Sequence, residues 1–198
     1  MKTRFIIFRH GQTDWNIEHR PMGKRDIPLN DAGKEQVEKL ALRFATEQIN
    51  VFYSSPLKRA KETADIIAGK HGKQAIIMKD LIEMNLGKLE GKTKKARIAM
   101  FPEFDPANDV QRTKMGMETF SDWIPKLEKQ MVPGLLKVHA GQTIALSTHD
   151  QKMRAILIAL GMPEEVKGEI LKNSAVSIIE IDNGKVDIIC HNDTSHLE

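Results

Sequence analysis

Three residues capable of chemistry follow the first apolar segment of the chain. Residues 5–8 are rich in β-branched and aromatic side chains and predict a buried strand, and Arg9, His10 and Gly11 come directly after it. Histidine offers a nucleophilic or basic imidazole, arginine a fixed cation, and glycine a close approach of the backbone to a bound group. The carboxyl edge of an open α/β sheet is where ligands bind. Taken alone, these residues fit equally well a strand that ends in two exposed polar side chains.

Three further side chains capable of chemistry lie later in the chain, near predicted strand ends or at a helix start. Arg59 lies in the first turn of a predicted helix, Glu83 follows a third strand, and His149 ends a fourth. In a doubly wound sheet these positions converge at one edge. Two arginines and two histidines around one point suit a compact dianion, because a guanidinium group matches phosphate oxygens. Phosphoryl transfer depends mainly on positioning and charge neutralisation, so we expect a site of this chemistry.

Strands and helices alternate over most of the sequence. After the first strand we expect strands at 49–53, 75–78, 143–147, 175–181 and 186–190, and helices at 31–46, 55–69, 118–138 and after His149. This βαβ alternation predicts a largely parallel sheet, and Asn183-Gly184 predicts a hairpin between the last two strands. Ser55 is expected to cap the helix at 55–69, with Pro56 at its first position. Pro125 and Pro133 are expected to kink or divide the helix at 118–138.

Residues 84–117 interrupt the alternation and are predicted to form an insert. Lysines and arginines are frequent there, and such a run of charges most often forms a solvated surface without a functional role. Arg97, Arg112 and Lys114 are the candidates if the insert has a functional role.

Composition places the chain among ordinary globular proteins. The 198 residues are 40% hydrophobic and 29% charged, which predicts one domain, 1–198, with a substantial core. A net charge of +3 is too weak to indicate nucleic acid but is compatible with a small anionic ligand. The single cysteine, Cys190, lies in an apolar run and is predicted to be a buried structural thiol. A charged N-terminus and the lack of a membrane-length apolar run predict a cytoplasmic protein that does not bind membranes.

Several linked motifs resemble those of the histidine phosphatase superfamily, also called phosphoglycerate mutase-like. They cover nearly the whole chain: Arg9-His10-Gly11-x-Thr13-x-x-Asn16, Asp26-x-Pro28-Leu29-x-x-x-Gly33, Ser54 to Ala64 with Arg59, Leu81-x-Glu83-x-x-x-Gly87-x-x-Glu90-Gly91, and His149. The resemblance implies a three-layer α/β sandwich with a mostly parallel sheet of about six strands. It also implies one antiparallel edge hairpin and helices on both faces of the sheet.

The resemblance also implies a role for each matched residue. His10 would be the nucleophile that takes the phosphoryl group, and Glu83 the acid and then the base. The groups that would bind substrate are Arg9, Asn16, Gly23, Arg59 and His149. Two positions depart from the family pattern, in which glycine follows the second histidine and glutamine precedes Gly23: here they are Asp150 and Met22. The Asp150 carboxylate would oppose a dianion, so we expect it to point away or to pair with Lys152 or Arg154.

The sequence therefore predicts a phosphomonoester hydrolase that uses no metal or cofactor and forms a phosphohistidine. A small phosphorylated metabolite is the expected substrate and inorganic phosphate a product. A cofactor-dependent phosphoglycerate mutase and an inactive phospho-ligand-binding protein are the alternatives. Residues 92–117 lack the adjacent arginine pair with which the compared mutases grip a substrate carboxylate. Sugar phosphates, phosphoserine, α-ribazole phosphate and nucleotides all stay open as substrates, and the sequence indicates no oligomeric state.

Overall fold

A six-stranded sheet forms the centre of the molecule. The computed structural model describes residues 1–105 and 108–198, so Pro106 and Ala107 of the insert lie outside the described residues. The strands are β1 (Thr3–Arg9), β2 (Val51–Ser54), β3 (Ile76–Ile77), β4 (Thr143–Thr148), β5 (Val176–Asp182) and β6 (Lys185–Asp193). Their order is β3-β2-β4-β1-β5-β6; β5 pairs antiparallel with both neighbours, and the other pairs are parallel. The predicted mostly parallel sheet with an antiparallel edge hairpin is thus confirmed.

Helices cover both faces of the sheet. They are α1 (Asp14–Ile17), α2 (Asp31–Phe44), α3 (Lys58–Gly69), α4 (Lys94–Met100), α5 (Asp109–Lys114), α6 (Phe120–Lys126), α7 (Val132–Val138) and α8 (Asp150–Ala159). Alternate residues of β1 enter two different cores. Phe5 and Ile7 pack with residues of α6 and α8, whereas Ile6 and Phe8 pack with residues of α2 and α3. Burial on both faces explains why the β1 sequence is continuously apolar.

The start of α3 differs from its prediction. The helix begins at Lys58, and its N-cap is Leu57, which offers no side-chain cap. Ser55 Oγ instead accepts a hydrogen bond from the backbone N–H of Leu57 at 3.3 Å. Asp26, distant in sequence, accepts one from the N–H of Lys58 at 2.7 Å. The predicted cap at Ser55 and first helical position at Pro56 were therefore wrong, because the capping carboxylate comes from another loop.

The predicted division of the helix at 118–138 is confirmed. A π-helical segment, Leu127–Met131, joins α6 to α7. Pro125 lies inside α6, and Pro133 lies in the first turn of α7. Because Pro133 lacks an N–H, it cannot continue the α-helical hydrogen bonding of the preceding turn.

The hairpin and the single cysteine lie at the β6 edge of the sheet. Asn183 and Gly184 both have positive φ, 49° and 81°, as a tight two-residue hairpin turn requires.

Cys190 on β6 is only half-buried, so the prediction of a buried thiol was wrong. β6 is an edge strand whose Ile188 and Ile189 are exposed, so it does not receive the coverage of a central strand.

The insert contains α4 and α5 and a small apolar core of its own. Leu86, Leu89 and Met117 are buried there, with Phe101 and Phe104 packed against them. Within the described residues, no helix is long and apolar enough to cross a membrane.

Candidate active site

Six of the seven residues predicted to form the site line one cavity. The cavity has a volume of about 200 Å³ and lies where β1 ends. The six residues are Arg9, His10, Asn16, Gly23, Arg59 and Glu83. His149 does not line the cavity, but the centroid of its ring is 5.3 Å from that of His10. The convergence inferred from the strand and helix ends is therefore observed.

The orientation of the His10 ring favours a nucleophilic nitrogen. Its Nδ1 lies 2.7 Å from the carbonyl oxygen of Gly11, an acceptor, so the proton resides on Nδ1. Nε2 then carries the lone pair. Burial, followed by the charges of Arg59 and Arg9, holds the pKa of His10 well below its usual value. The imidazole is consequently neutral at physiological pH and able to attack an electrophile.

Two arginines, buried Arg59 and half-buried Arg9, supply the positive charge of the site. Arg59 donates to the carbonyl oxygens of Arg25 at 2.7 Å and Gly23 at 2.9 Å, which fixes its guanidinium plane. Arg9 donates to the carbonyl of Leu171. Burial lowers the pKa of Arg59 to about 10, against an opposing effect of Glu83, so Arg59 stays charged at neutral pH. Two fixed cations beside a neutral imidazole suit the binding of an anionic group.

His149 is held from behind the cavity. It is fully buried, and its Nε2 lies 2.8 Å from Ser55 Oγ. Nδ1 has no hydrogen-bond partner among the described residues. Burial and the charge of Arg59 hold the pKa of His149 well below its usual value. The ring is therefore a neutral group beside His10.

Glu83 is a buried carboxylate anchored by backbone N–H groups. Its Oε1 accepts from Met84 at 2.9 Å and from Lys152 at 3.0 Å, and Oε2 accepts from Gln151 at 3.3 Å. Burial, followed by the charge of Asp150, raises the pKa of Glu83. A carboxyl with raised proton affinity, facing the cavity of His10, has the properties of a general acid.

The neighbouring Glu90 has a different role. Its Oε1 accepts from the backbone N–H groups of Lys24 and Leu86, and its Oε2 lies 3.5 Å from Arg25. It also lies so close to Gly23, where φ is +51°, that a side chain at that position would collide with it. Glu90 therefore shapes the loop, and Glu83 is the carboxylate that reaches the cavity.

Both departures from the family pattern have structural partners. Asp150 pairs with Arg154 at 2.9 Å and accepts from the N–H of Leu171 at 3.1 Å. Of the two cations expected to neutralise it, Arg154 is thus the observed one. The sulfur of Met22 lies 3.3 Å from Thr13 Oγ1 and lines the cavity wall.

Gly11 has a packing role that the sequence did not predict. A Cβ there would lie 2.5 Å from the carbonyl oxygen of Gly33 and 2.8 Å from the side chain of Val37. The missing side chain therefore permits α2 to approach the end of β1. That Gly11 also lets the backbone approach a bound group stays a prediction.

The small cavity adjoins a wider cleft of about 730 Å³. Both are lined by Arg9, Asn16, Arg20, Pro21, Asp150 and Gln151. Arg97 of the insert also lines the cleft, whereas Arg112 is fully buried. Lys114 is exposed. A substrate whose phosphate entered the small cavity would extend its remaining part into the cleft.

A model of the histidine phosphatase superfamily (branch 1) matches residues 5–194. The chain belongs to this superfamily. Phosphoglycerate mutase-like protein 4 of Arabidopsis thaliana is 35% identical over 199 residues, covering 98% of this chain and 86% of its own. The metal-independent phosphoserine phosphatase of the same plant is 32% identical over 202 residues, covering 98% and 83%. The solved structure of Bacillus stearothermophilus YhfR superposes with a TM-score of 0.87 at 28% identity, covering 99% and 100%.

Two further residues hold the superfamily site in place: Asn173, which sequence reasoning missed, and Arg112, which it named only as a candidate of the insert. Asn173 Nδ2 donates to the carbonyl of His10 at 3.2 Å and to Asn16 Oδ1 at 3.1 Å. Arg112 donates to Gln151 Oε1 at 2.8 Å and so ties the insert to α8 beside the cavity. Both residues lie outside the family motifs and act through partners that are distant in sequence. The local sequence pattern therefore carries no signal for these contacts.

Proposed function

We propose that this chain is a metal-independent phosphomonoester hydrolase that acts on a small phosphorylated metabolite through a phosphohistidine. The observation that carries the proposal is the His10 imidazole, oriented by Gly11 and kept neutral beside Arg9 and Arg59. A neutral imidazole with a free Nε2 is a nucleophile, and the arginines suit a phosphate dianion. We further propose that residues 1–198 act as one catalytic domain that includes the insert at 84–117.

The first half-reaction transfers the phosphoryl group to the protein. His10 Nε2 forms a bond to phosphorus while the bond from phosphorus to the ester oxygen breaks. Glu83 gives its proton to that oxygen, and the alcohol leaves. The phosphate oxygens are held by Arg9 and Arg59, with additional donors proposed at Asn16, Gly23 and His149.

The second half-reaction regenerates the imidazole. Glu83, now a carboxylate, takes a proton from water as the water oxygen bonds to phosphorus. The bond between phosphorus and His10 Nε2 breaks, and inorganic phosphate leaves. The raised pKa of Glu83 supports its part as acid, and its three backbone donors support its part as carboxylate.

The names of the relatives support a small metabolite but leave its identity open. One relative is named a metal-independent phosphoserine phosphatase and another a phosphoglycerate mutase-like protein. The wide cleft beside the His10 cavity favours hydrolysis over mutase activity, because a mutase must exclude water from the phosphohistidine. The absence of nucleic-acid and membrane partners and the cytoplasmic location stay predictions.

Turnover of p-nitrophenyl phosphate in excess chelator tests the activity. We expect release of nitrophenolate and phosphate at an undiminished rate, since side chains supply the required positive charge. His10→Ala serves as the control and should abolish the activity. A wild-type protein that binds phosphate but does not turn over the ester would support the inactive binding protein instead.

A further inference from the structure

A buried lysine belongs to the residue whose backbone N–H contacts the proposed acid. Lys152 on α8 is fully buried, and its Nζ has no hydrogen-bond partner among the described residues. Nζ lies 2.8 Å from the centroid of the Trp123 ring, over its face. An ammonium group at an aromatic face is attracted by the negative potential of the ring. The side chain is therefore held in one place without exposure to water.

The charges around Lys152 come from three neighbouring segments. Glu83, Glu118 and Asp80 favour its ammonium form, in that order of strength, and Lys126 on α6 opposes it. Burial is the larger influence and lowers the pKa of Lys152 to about 7. Below that pH the residue is a cation, and the acidic group that influences it most is Glu83.

A backbone contact joins the two residues as well. The N–H of Lys152 donates to Glu83 Oε1 at 3.0 Å. This contact depends on α8 and not on the lysine side chain. Replacing the side chain with an uncharged one of similar length therefore removes the charge and leaves the anchor of Glu83 in place.

Glu83 must both hold and lose a proton in the proposed reaction. Burial and the Asp150 charge favour the protonated form, whereas the backbone N–H groups of Met84 and Lys152 and the charge of Arg59 favour the ionised one. An acid held permanently in that form would fail as the base of the second half-reaction. A second buried positive charge would act in the same direction as Arg59, since an opposite charge favours the ionised carboxyl.

We propose that Lys152 is a positioning residue whose buried ammonium, together with Arg59, favours ionisation of Glu83 after it has protonated the leaving group. The inference rests on the acid–base role of Glu83 in the proposed function. Lys152 itself touches neither substrate nor the reacting atoms, and acts through Glu83.

The test compares Lys152→Met with Lys126→Met. Lys126 contacts the same Trp123 ring at 4.6 Å, but its side chain is 45% exposed and lies 3.2 Å from Asp80. The Glu83 carboxyl is titrated by infrared difference spectroscopy of ¹³C-glutamate protein, with Glu83→Gln as the reference. We expect its midpoint to rise by about one pH unit in Lys152→Met. In Lys126→Met it should move by no more than about 0.2 unit, because solvent screens that charge.

A second measurement follows hydrolysis of the phosphoenzyme formed from p-nitrophenyl phosphate, as a function of pH. At low pH the rate of this hydrolysis should fall, because protonated Glu83 cannot act as a base. In Lys152→Met the pH of this fall, the acid limb of the profile, should rise by the same amount as the infrared midpoint. An unchanged infrared midpoint in folded Lys152→Met overturns the inference. If that variant does not fold, ¹⁵N-lysine spectra of the wild type decide: a Lys152 amine already neutral at the Glu83 midpoint overturns it, and an ammonium there supports it.

The two proposals fail in different ways. If no phosphoenzyme forms, the proposed function is wrong, while the infrared titration still decides whether Lys152 controls Glu83. If the phosphoenzyme forms and its acid limb is the same in wild type and Glu83→Gln, the limb belongs to another group, and the role of Glu83 as base is wrong.

Discussion

At the scale of residues, burial shifts the proton affinities of His10 and Glu83 in opposite directions. It lowers the pKa of His10 and raises that of Glu83, because in each case the charged form is disfavoured. The imidazole is thus available as a nucleophile below pH 6.5, and the carboxyl keeps its proton above its ordinary range near 4.5. Transfer of the phosphoryl group from an alkyl phosphate to His10 requires neutral His10 and protonated Glu83 in the same molecule.

This pair predicts a bell-shaped pH profile for phosphorylation by alkyl phosphates. The rate should rise as His10 loses its proton and fall as Glu83 loses its own. Glu83→Gln should slow alkyl phosphates by about 10²–10⁴-fold, and p-nitrophenyl phosphate far less, because nitrophenolate leaves without a proton. Rapid-quench measurement of the phosphorylation step gives both rates.

Glu90→Gln is the matched control and should leave the ratio between the two substrates unchanged, since Glu90 contacts the loop backbone and Arg25. Equal slowing of both substrates by Glu83→Gln would instead indicate a positioning role for Glu83.

At the scale of elements, the site depends on how α3 begins. Arg59 is the second residue of this helix, and Asp26 from another loop caps its first N–H at 2.7 Å. The Asp26 charge also favours the charged form of Arg59. One carboxylate therefore fixes both the helix end and the arginine next to it.

Asp26→Ala should lower the free energy of unfolding by about 1 kcal/mol and raise KM for p-nitrophenyl phosphate. Chemical denaturation and steady-state kinetics measure the two effects. Asp31→Ala is the control: Asp31 lies in the first turn of α2, but Asn30 caps that helix, so KM should stay at the wild-type value. An Asp26→Ala protein with unchanged stability and KM would contradict this role.

The elements also show what sequence can and cannot predict. Strand β1 and the Asn183-Gly184 turn were predictable, because each follows from neighbouring residues alone. The cap of α3 was not, since Asp26 lies in a separate loop and reaches Lys58 only in the folded chain. Arg112 and Asn173 illustrate the same limit within the site, because their partners Gln151 and His10 belong to other segments.

At the scale of the whole molecule, the parallel strands bring their carboxyl ends to one edge, where the small cavity of His10 adjoins a wide cleft. β1 and β4 are neighbours in register from Arg4–Thr143 to Arg9–Thr148, so His10 and His149 follow the two strands side by side. Topology alone made this convergence predictable. The shape of the cleft beside it was not predictable, because Arg97 reaches it from α4 and Asn173 from the segment before β5.

The wide cleft beside the His10 cavity predicts that hydrolysis is faster than isomerisation. Incubation with 3-phosphoglycerate, with and without 2,3-bisphosphoglycerate, should release phosphate without faster formation of 2-phosphoglycerate. Outcompeting water at about 55 M would require a well-oriented second grip on the returning molecule. Both products are followed in the same reaction. Isomer forming much faster than phosphate would establish the mutase alternative.

The central claim is the covalent intermediate on His10, and trapping it is the most direct test. Alkaline quenching during turnover of ³²P-labelled substrate should yield protein-bound phosphate that is stable in alkali and labile in acid. Peptide mapping should assign the label to His10, and His10→Ala should carry none. Full activity in His10→Ala, or turnover by the wild type with the label on another residue, would contradict the account.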